Sequence, residues 1–337
     1  MSKKIRVAIN GFGRIGRHAL KVAKTMSHIE IVAVNDLTDT KTLAHLLRYD
    51  TAYPDVSFRV SSDVNHLIVA GKKIPTFAQK DPSQLPWKKL KVDVVIESTG
   101  VFRTTELAGL HLKAGAKAVV LSAPGKGDDI HTYVRGVNCD MYKKHKEKII
   151  DNASCTTNSV APVMRVLEDA FGIEKAMLTT IHSYTADQNL QDGPHKDLRR
   201  ARAAAQNIVP TTTGAAVATT RVVPELINKF DGIAVRVPTI TVSLSDITAV
   251  LRCTVTATKV NTALIKASKG FLKGILATTN EELVSSDFIG NTHSSIVDLS
   301  MTKVVDGNLI KVITWYDNEW GYANRLVEMV EKVGKSL

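Results

Sequence analysis

The chain has 337 residues, 44% of them hydrophobic and 23% charged, with a formal net charge of +11. That is ample for a buried core divided between two domains, and it excludes a disordered, collagenous or disulfide-stapled chain. The three cysteines, Cys139, Cys155 and Cys253, are scattered, which indicates a reducing compartment such as the cytoplasm and, without CxxC pairs or clustered histidines, no metal site.

The opening "MSKKIRVAING" reaches a glycine loop after one short apolar run, unlike a secretory signal, and no stretch of about 18 apolar residues follows that would cross a membrane. "IRVAIN", residues 5–10, reads as a buried strand and "RIGRHALKVAKTM" as the helix after it. Between them "NGFGRIG" sets Gly11, Gly13 and Gly16 as GxGxxG, and the next strand, "IEIVAVND", ends at Asp36, 20 residues past Gly16. Strand, glycine loop, helix, strand and acid in that order form the dinucleotide fingerprint. Gly11 makes the tight turn, Gly13 lets a pyrophosphate approach the backbone, and Gly16 lets helix and strand pack closely. Phe12, Arg14 and Ile15 complete the loop and the first helical turn, whose N–H groups face the phosphates. Asp36 suits a ribose diol and repels a 2′-phosphate, and Leu37 beside it offers no cation, so NAD is expected over NADP. "DVVIESTG", "KAVVLSAPG" and "EKIIDNAS" are further strands, and Ser98, Thr99 and Gly100 close the first of them where they can line the same cleft. Strands alternating with helices imply a parallel sheet.

The texture changes at "NASCTTN", residues 152–158. A helical pattern, "SVAPVMRVLEDAF", leads to the strand "AMLTTIHSYT" and then to a basic, alanine-rich stretch without periodicity from Ser183 to Thr213. Alternating runs follow, among them "GIAVRVP", "ITAVLRCTVTAT" and "LIKVITWYD", with a DG turn in "VVDGNLIK" and an amphipathic helix at the end. This half reads as a larger mixed sheet with helices on one side. Cys155 stands at a strand-to-helix transition, where a helix N-terminus lowers a thiol pKa. His182 ends an apolar strand. If the two strands are neighbours, the imidazole can take the thiol proton and then serve as acid or base. By residue type alone, a buried small hydrophobe and a satisfied core histidine remain the alternatives, and burial is the expectation for Cys139 and Cys253. Basic runs such as "KKHKEK" and "LRRARAA" lack interleaved aromatics, so the positive charge is read as steering for anionic small ligands, with nucleic acid not the primary ligand.

"AINGFGRIGR", "NASCTTN", "PHKDLRRARAAAQNIVPTTTGAA", "VRVPT" and "WYDNEWGYANR", in this order and spacing, resemble the phosphorylating glyceraldehyde-3-phosphate dehydrogenase family over the whole chain. The resemblance implies an α/β fold: a Rossmann-type dinucleotide-binding domain of residues 1–154 and 319–337, and an α+β catalytic domain of 155–318 with a large mixed sheet. It implies NAD-dependent oxidation and phosphorylation of glyceraldehyde 3-phosphate to 1,3-bisphosphoglycerate through a thioester on Cys155, with His182 as base, in a cytoplasmic homotetramer. The implied substrate-phosphate site is Thr185, Asp187 and Arg236, with Asp187 expected to orient Arg236. The implied inorganic-phosphate site is Ser154, Thr156, Thr213 and Gly214. Asn318, Tyr322 and Ser122 are implied at the cofactor, and the basic stretch after Ser183 is implied at a subunit interface.

The sequence departs from the family pattern at Ser159, where a second cysteine is common, at Gly193, and in "YDTAYPDVSF". One thiolate suffices for the chemistry, so Ser159 removes only an oxidation route. The enzyme rival is an erythrose-4-phosphate dehydrogenase, against which the hydroxyl run "PTTTGAA" argues; the rival of another class is an NAD- or RNA-binding protein without catalysis, against which the Cys155–His182 pair argues.

Overall fold

The structure, a computed structural model, describes residues 4–54, 56–143 and 146–337. The N-terminal residues 1–3, part of the basic run 143–148 and part of the stretch 49–58 lie outside these. The chain forms two compact units, one of Met1–Tyr133, Asp140–Ala153 and Ala323–Leu337, the other of Val134–Cys139 and Ser154–Tyr322.

The first unit runs β1 (Ile5–Asn10), α1 (Arg14–Ala23), β2 (Ile29–Asn35), α2 (Thr40–Arg48), β3 (Val60–Asp63), β4 (His66–Val69), β5 (Lys72–Phe77), β6 (Val94–Glu97), α3 (Thr105–Lys113), β7 (Ala118–Leu121), β8 (His131–Thr132) and β9 (Ile149–Asp151). Its sheet has the order β3-β4-β5-β2-β1-β6-β7-β9-β8. β1 lies between β2 and β6, parallel to both, and β7 and β9 continue the parallel set. β6 and β7, Val-Val-Ile-Glu and Ala-Val-Val-Leu, are buried at every residue, as strands covered on both faces must be. Helix starts are locally written: Asp39 accepts the Thr42 N–H and Thr104 the Leu107 N–H. The antiparallel set β3-β4-β5 is short and half-polar, which is why periodicity gave no sign of it. The chain leaves β1 for β2 on one side and returns to β6 on the other. That reversal opens a crevice at the C-terminal ends of β1 and β6.

The second unit contains α4 (Cys155–Phe171), β10 (Ile173–Ser183), β11 (Val209–Thr212), α5 (Ala215–Val222), β12 (Phe230–Val237), β13 (Ser243–Leu251), α6 (Ala257–Lys269), β14 (Leu276–Thr279), β15 (Ser295–Val305) and β16 (Leu309–Tyr316), and α7 (Trp320–Lys335) begins in it. The mixed sheet has the order β11-β12-β10-β13-β16-β15-β14. Along β10, Ala176, Leu178, Thr180 and His182 are buried, while Met177 between them is exposed. α4 packs against this sheet. Asp306 and Gly307, both at positive φ, turn β15 into β16 as the DG pair requires. The stretch after Ser183 contains no helix, and only β11 is regular in it.

The condition set for the meeting of Cys155 and His182 is not the one the fold uses. β9, which precedes Cys155, belongs to the first sheet and β10 to the second, so the two strands are not neighbours. Cys155 reaches His182 because it opens α4, not because two strands pair.

Gly11 takes φ +89, and a Cβ on Gly16 would stand 2.2 Å from the Gly11 carbonyl oxygen. Gly16→Ala is therefore expected to cost about 1–3 kcal/mol of stability, read as a lowered urea midpoint. A Cβ on Gly13 would meet nothing within 4 Å, so Gly13→Ala should disturb folding less than Gly16→Ala.

Candidate active site

The dinucleotide features converge on one edge of the first sheet. Gly11 follows β1, Asp36 follows β2, Ser98, Thr99 and Gly100 follow β6, and Ser122 follows β7. The loops are cross-tied. Gly11 N–H donates to the Asn35 carbonyl, and the Ser98 hydroxyl donates to the Gly11 carbonyl at 2.7 Å. Asp36 Oδ2 accepts the Phe12 N–H at 2.7 Å, and Oδ1 accepts the Thr38 N–H. The side chain of Arg14 turns to Asp50 at 2.7 Å and over the Tyr53 ring, so the cofactor contact expected of Arg14 falls to its backbone at the head of α1, with Ile15 in the same turn. A cleft of about 480 Å³ opens here, lined by Gly11, Gly13, Asp36, Leu37, Ser98 and Thr99. The open space at Gly13 and the acidic acceptor at Asp36 fit a dinucleotide. Lys80 also lines it, a cation brought from the loop after β5 that sequence spacing did not indicate.

In the second unit the Cys155 Sγ lies 3.5 Å from His182 Nε2. The chain enters the site through Ala153 at φ +55, and Ser154 caps α4 by accepting the Thr157 N–H at 3.1 Å. Cys155 is thus the first residue of the helix, partly exposed, while His182 is 4% exposed. His182 Nδ1 stands 2.7 Å from the Ser183 carbonyl oxygen. A carbonyl only accepts, so Nδ1 carries the proton and Nε2 offers its lone pair to the thiol. The Arg236 Nη1 donates to the same carbonyl at 3.2 Å and to Thr185 Oγ1 at 3.1 Å; it also stands 3.3 Å from Nδ1, a longer approach than the 2.7 Å contact of Nδ1 with the carbonyl that sets the tautomer.

Burial dominates the ionisation of the pair. It pushes the Cys155 thiol up, against the pull of Arg236, the Thr156 hydroxyl and the backbone N–H groups. It lowers His182 to about 3, with Arg236 acting in the same direction. The lowering expected from the helix N-terminus and the neighbouring imidazole therefore works against burial at Cys155. Transfer of the proton from sulfur to Nε2 creates opposite charges 3.5 Å apart, an attraction of about 5 kcal/mol at an effective dielectric near 20.

The other candidates divide. Arg236 on β12 stands opposite His182 on β10, and its Nε is buried with no protein partner. Asp187 does not hydrogen-bond Arg236. It pairs with Arg200 and approaches His195 at 3.8 Å, because Arg200 is anchored on Thr211 Oγ1 at 2.9 Å and on the Thr212 carbonyl. The charge of Arg200 acts on both Arg236 and His182. Residue type alone did not single out this second arginine. Thr156 is buried, its hydroxyl 2.9 Å from the Tyr316 hydroxyl, which also meets Thr180 Oγ1 at 2.8 Å. Tyr316 sets its ring edge-on to His182 and so joins the head of α4 to β10; the sequence reading missed it. Thr213 and Gly214 open α5, with Gly214 as its N-cap, and no hydrogen bond among the described residues ties them to Cys155 or Arg236. Asn318 Oδ1 accepts the Ser243 hydroxyl at 2.9 Å and meets Ser183 Oγ at 3.0 Å. The two hydroxyls thus hold the amide by its oxygen. Tyr322 is buried in the first turn of α7. Cys139 is buried, but Cys253 is exposed, contrary to expectation, because it lies past the end of β13.

Comparison with known proteins gives two family matches: glyceraldehyde 3-phosphate dehydrogenase, NAD binding domain, over residues 5–105, and glyceraldehyde 3-phosphate dehydrogenase, C-terminal domain, over residues 154–318. The chain is 53% identical to the glyceraldehyde-3-phosphate dehydrogenase of Geobacillus stearothermophilus, covering 96% of this chain and 97% of that one. It is 52% identical to glyceraldehyde-3-phosphate dehydrogenase 1 of Bacillus subtilis (strain 168), covering 98% of each, and 53% identical to the Mycolicibacterium smegmatis enzyme, covering 99% of each.

The lowered His182 pKa has a signed consequence. The folded value, about 3, lies below the ordinary 6.5. Between these values the unfolded chain binds the extra proton, so stability falls as pH drops below about 6.5. His182→Asn lacks this contribution. Its stability relative to the parent should rise by about 2 kcal/mol from pH 7 to pH 5, measured as the difference in urea unfolding free energy; a difference independent of pH would contradict it.

Proposed function

The chain belongs to the glyceraldehyde-3-phosphate dehydrogenase family, and from that premise we infer how its residues carry out the NAD-dependent oxidation and phosphorylation of glyceraldehyde 3-phosphate. The observation that carries the reading is the Cys155 Sγ at 3.5 Å from a His182 Nε2 whose lone pair is directed at it. Sulfur attacks the aldehyde carbon as its proton passes to Nε2, and the carbonyl oxygen becomes the hemithioacetal hydroxyl. Backbone N–H groups at the head of α4 support the oxyanion while it is negative. NAD, when bound, supplies the hydride acceptor that converts the hemithioacetal into a thioester. His182 Nε2 takes the hydroxyl proton in that conversion. An oxygen of inorganic phosphate then attacks the thioester carbon, the C–S bond breaks, and 1,3-bisphosphoglycerate leaves while the proton on Nε2 returns to sulfur and the phosphate's own proton passes to solvent.

Arg236 and Thr185 are assigned to the substrate phosphate, since a guanidinium pairs with phosphate in two-pronged fashion and the buried Arg236 Nε lacks a protein acceptor. Asp187 acts through Arg200, which adds a second positive charge. For inorganic phosphate we assign Ser154, Thr156, Thr213 and Gly214; the Ser154 hydroxyl is engaged in capping and that of Thr156 with Tyr316, so backbone donors take the larger share. Gly11, Phe12, Gly13, Arg14, Ile15, Gly16, Asp36, Ser98, Thr99, Gly100 and Ser122 are assigned to NAD, with Asn318 offering its NH₂ to the carboxamide and Tyr322 nearby.

A homotetramer is proposed on the apolar sheet face left uncovered in one chain. Met177 on β10 and Ile233 on β12 are exposed, and a cavity of about 800 Å³ is lined by Met177 with Val217 of α5 and Ile227 of the loop before β12. No helix among the described residues is long and apolar enough to cross a membrane, and the sparse, unpaired cysteines support a cytoplasmic setting.

The decisive assay follows NADH formed from glyceraldehyde 3-phosphate with and without inorganic phosphate. Sustained turnover should require phosphate; turnover indifferent to phosphate, or faster with erythrose 4-phosphate, would sink the reading. Cys155 should be alkylated at neutral pH faster than Cys139 and Cys253. His182→Asn should slow that alkylation by about tenfold or more, as removal of a positioned base does, and leave Cys253 unaffected. Arg236→Leu should raise KM for the phosphorylated aldehyde far more than for unphosphorylated glyceraldehyde.

A further inference from the structure

Behind the NAD cleft lies a chain of buried polar side chains that the chemistry above does not use. Glu97, the last residue of β6, is 2% exposed, and His111 and Trp87 are fully buried. One Glu97 oxygen accepts both the N–H and the hydroxyl of Thr99. The other accepts the Asn10 Nδ2 at 2.6 Å and meets the His111 Nε2 at 3.0 Å. Asn10 Oδ1 in turn accepts the Asn35 Nδ2 at 2.7 Å, and Asn35 exchanges two hydrogen bonds with the backbone of Gln79. One carboxylate thus ties together the segments that follow β1, β2, β5 and β6. Asn10, Asn35, Gln79 and Thr99 line the cleft.

The polarity of this chain is fixed at both ends by groups that have no choice. The Trp87 indole N–H can only donate, and it lies 3.0 Å from His111 Nδ1. Nδ1 is therefore bare, and the imidazole proton sits on Nε2, facing Glu97. At the other end the Gln79 N–H and C=O cannot exchange places, so Asn35 cannot flip, and therefore neither can Asn10. Four donors converge on two oxygens, a demand that a carboxylate meets and its isosteric amide does not.

We propose that Glu97 is the positioning residue of the NAD cleft: a buried carboxylate, oriented through His111 by Trp87, that holds the cofactor loops in register. The inference rests on the reading that this cleft takes NAD. Glu97→Gln keeps shape and volume but sets an NH₂ group against fixed donors. NAD affinity, titrated directly, should weaken by about tenfold or more, as unpaired buried donors imply. Alkylation of Cys155 without NAD should be unchanged. Adding Trp87→Phe to Glu97→Gln frees Nδ1 to carry the proton, lets Nε2 accept from the new NH₂, and should recover part of the lost affinity, a rescue that general destabilisation would not give. Unaltered NAD affinity in Glu97→Gln would overturn the proposal, and a double variant no tighter than the single one would overturn the orienting role of Trp87. Should Glu97→Gln fail to fold, ¹⁵N-histidine spectra of the unmodified protein decide: His111 must show the Nε2–H tautomer, and an Nδ1–H signal would refute it. Failure of the unmodified protein to bind NAD would instead bring down the cleft reading and this proposal with it.

Discussion

The hydrogen bond between His182 Nδ1 and the Ser183 carbonyl, 2.7 Å long, is the constraint on which the catalytic unit depends. It assigns the imidazole proton to one nitrogen and leaves the other as an acceptor 3.5 Å from the Cys155 sulfur. A ring with the opposite tautomer would present a donor to a thiol that must lose its own proton. The carbonyl also receives Arg236, so the group that fixes the base also fixes the cation assigned to the substrate phosphate. Burial keeps the imidazole neutral with its Nε2 lone pair free, while opposing the charge it would gain with a proton.

Around this pair, hydroxyl and amide groups hold the elements at their working spacing. Tyr316 bridges Thr156 on α4 to Thr180 on β10. Ser243 and Ser183 hold Asn318 by its oxygen. In the first unit the same principle appears around Glu97, where donors from three segments meet one carboxylate. Both units thus gather polar groups at the ends of strands and helices and lock them with buried polar contacts. Such contacts are costly to leave unpaired and hence specify one geometry.

The charge arrangement carries a compromise. Arg236 favours the thiolate of Cys155 but opposes a charged His182. Arg200 adds to the second effect. An anionic substrate that neutralises these cations would ease charging of the imidazole, which couples phosphate binding to proton transfer by electrostatics alone.

Much of this was written locally. GxGxxG after a buried strand, with Asp36 closing the next, determined the dinucleotide unit, because each glycine answers a steric demand that neighbours in sequence impose. The DG turn was legible for the same reason. Cys155 and His182 could be named as a pair, but only the tertiary structure decided how they meet: across the head of α4 and the end of β10, with β9 and β10 in different sheets. The roles of Tyr316, Arg200, Lys80 and Glu97 were equally invisible, as was the pairing of Asp187 with Arg200 in place of Arg236. Each depends on partners far apart in the chain, and hydrogen bonding and burial act through space, where sequence periodicity has no reach.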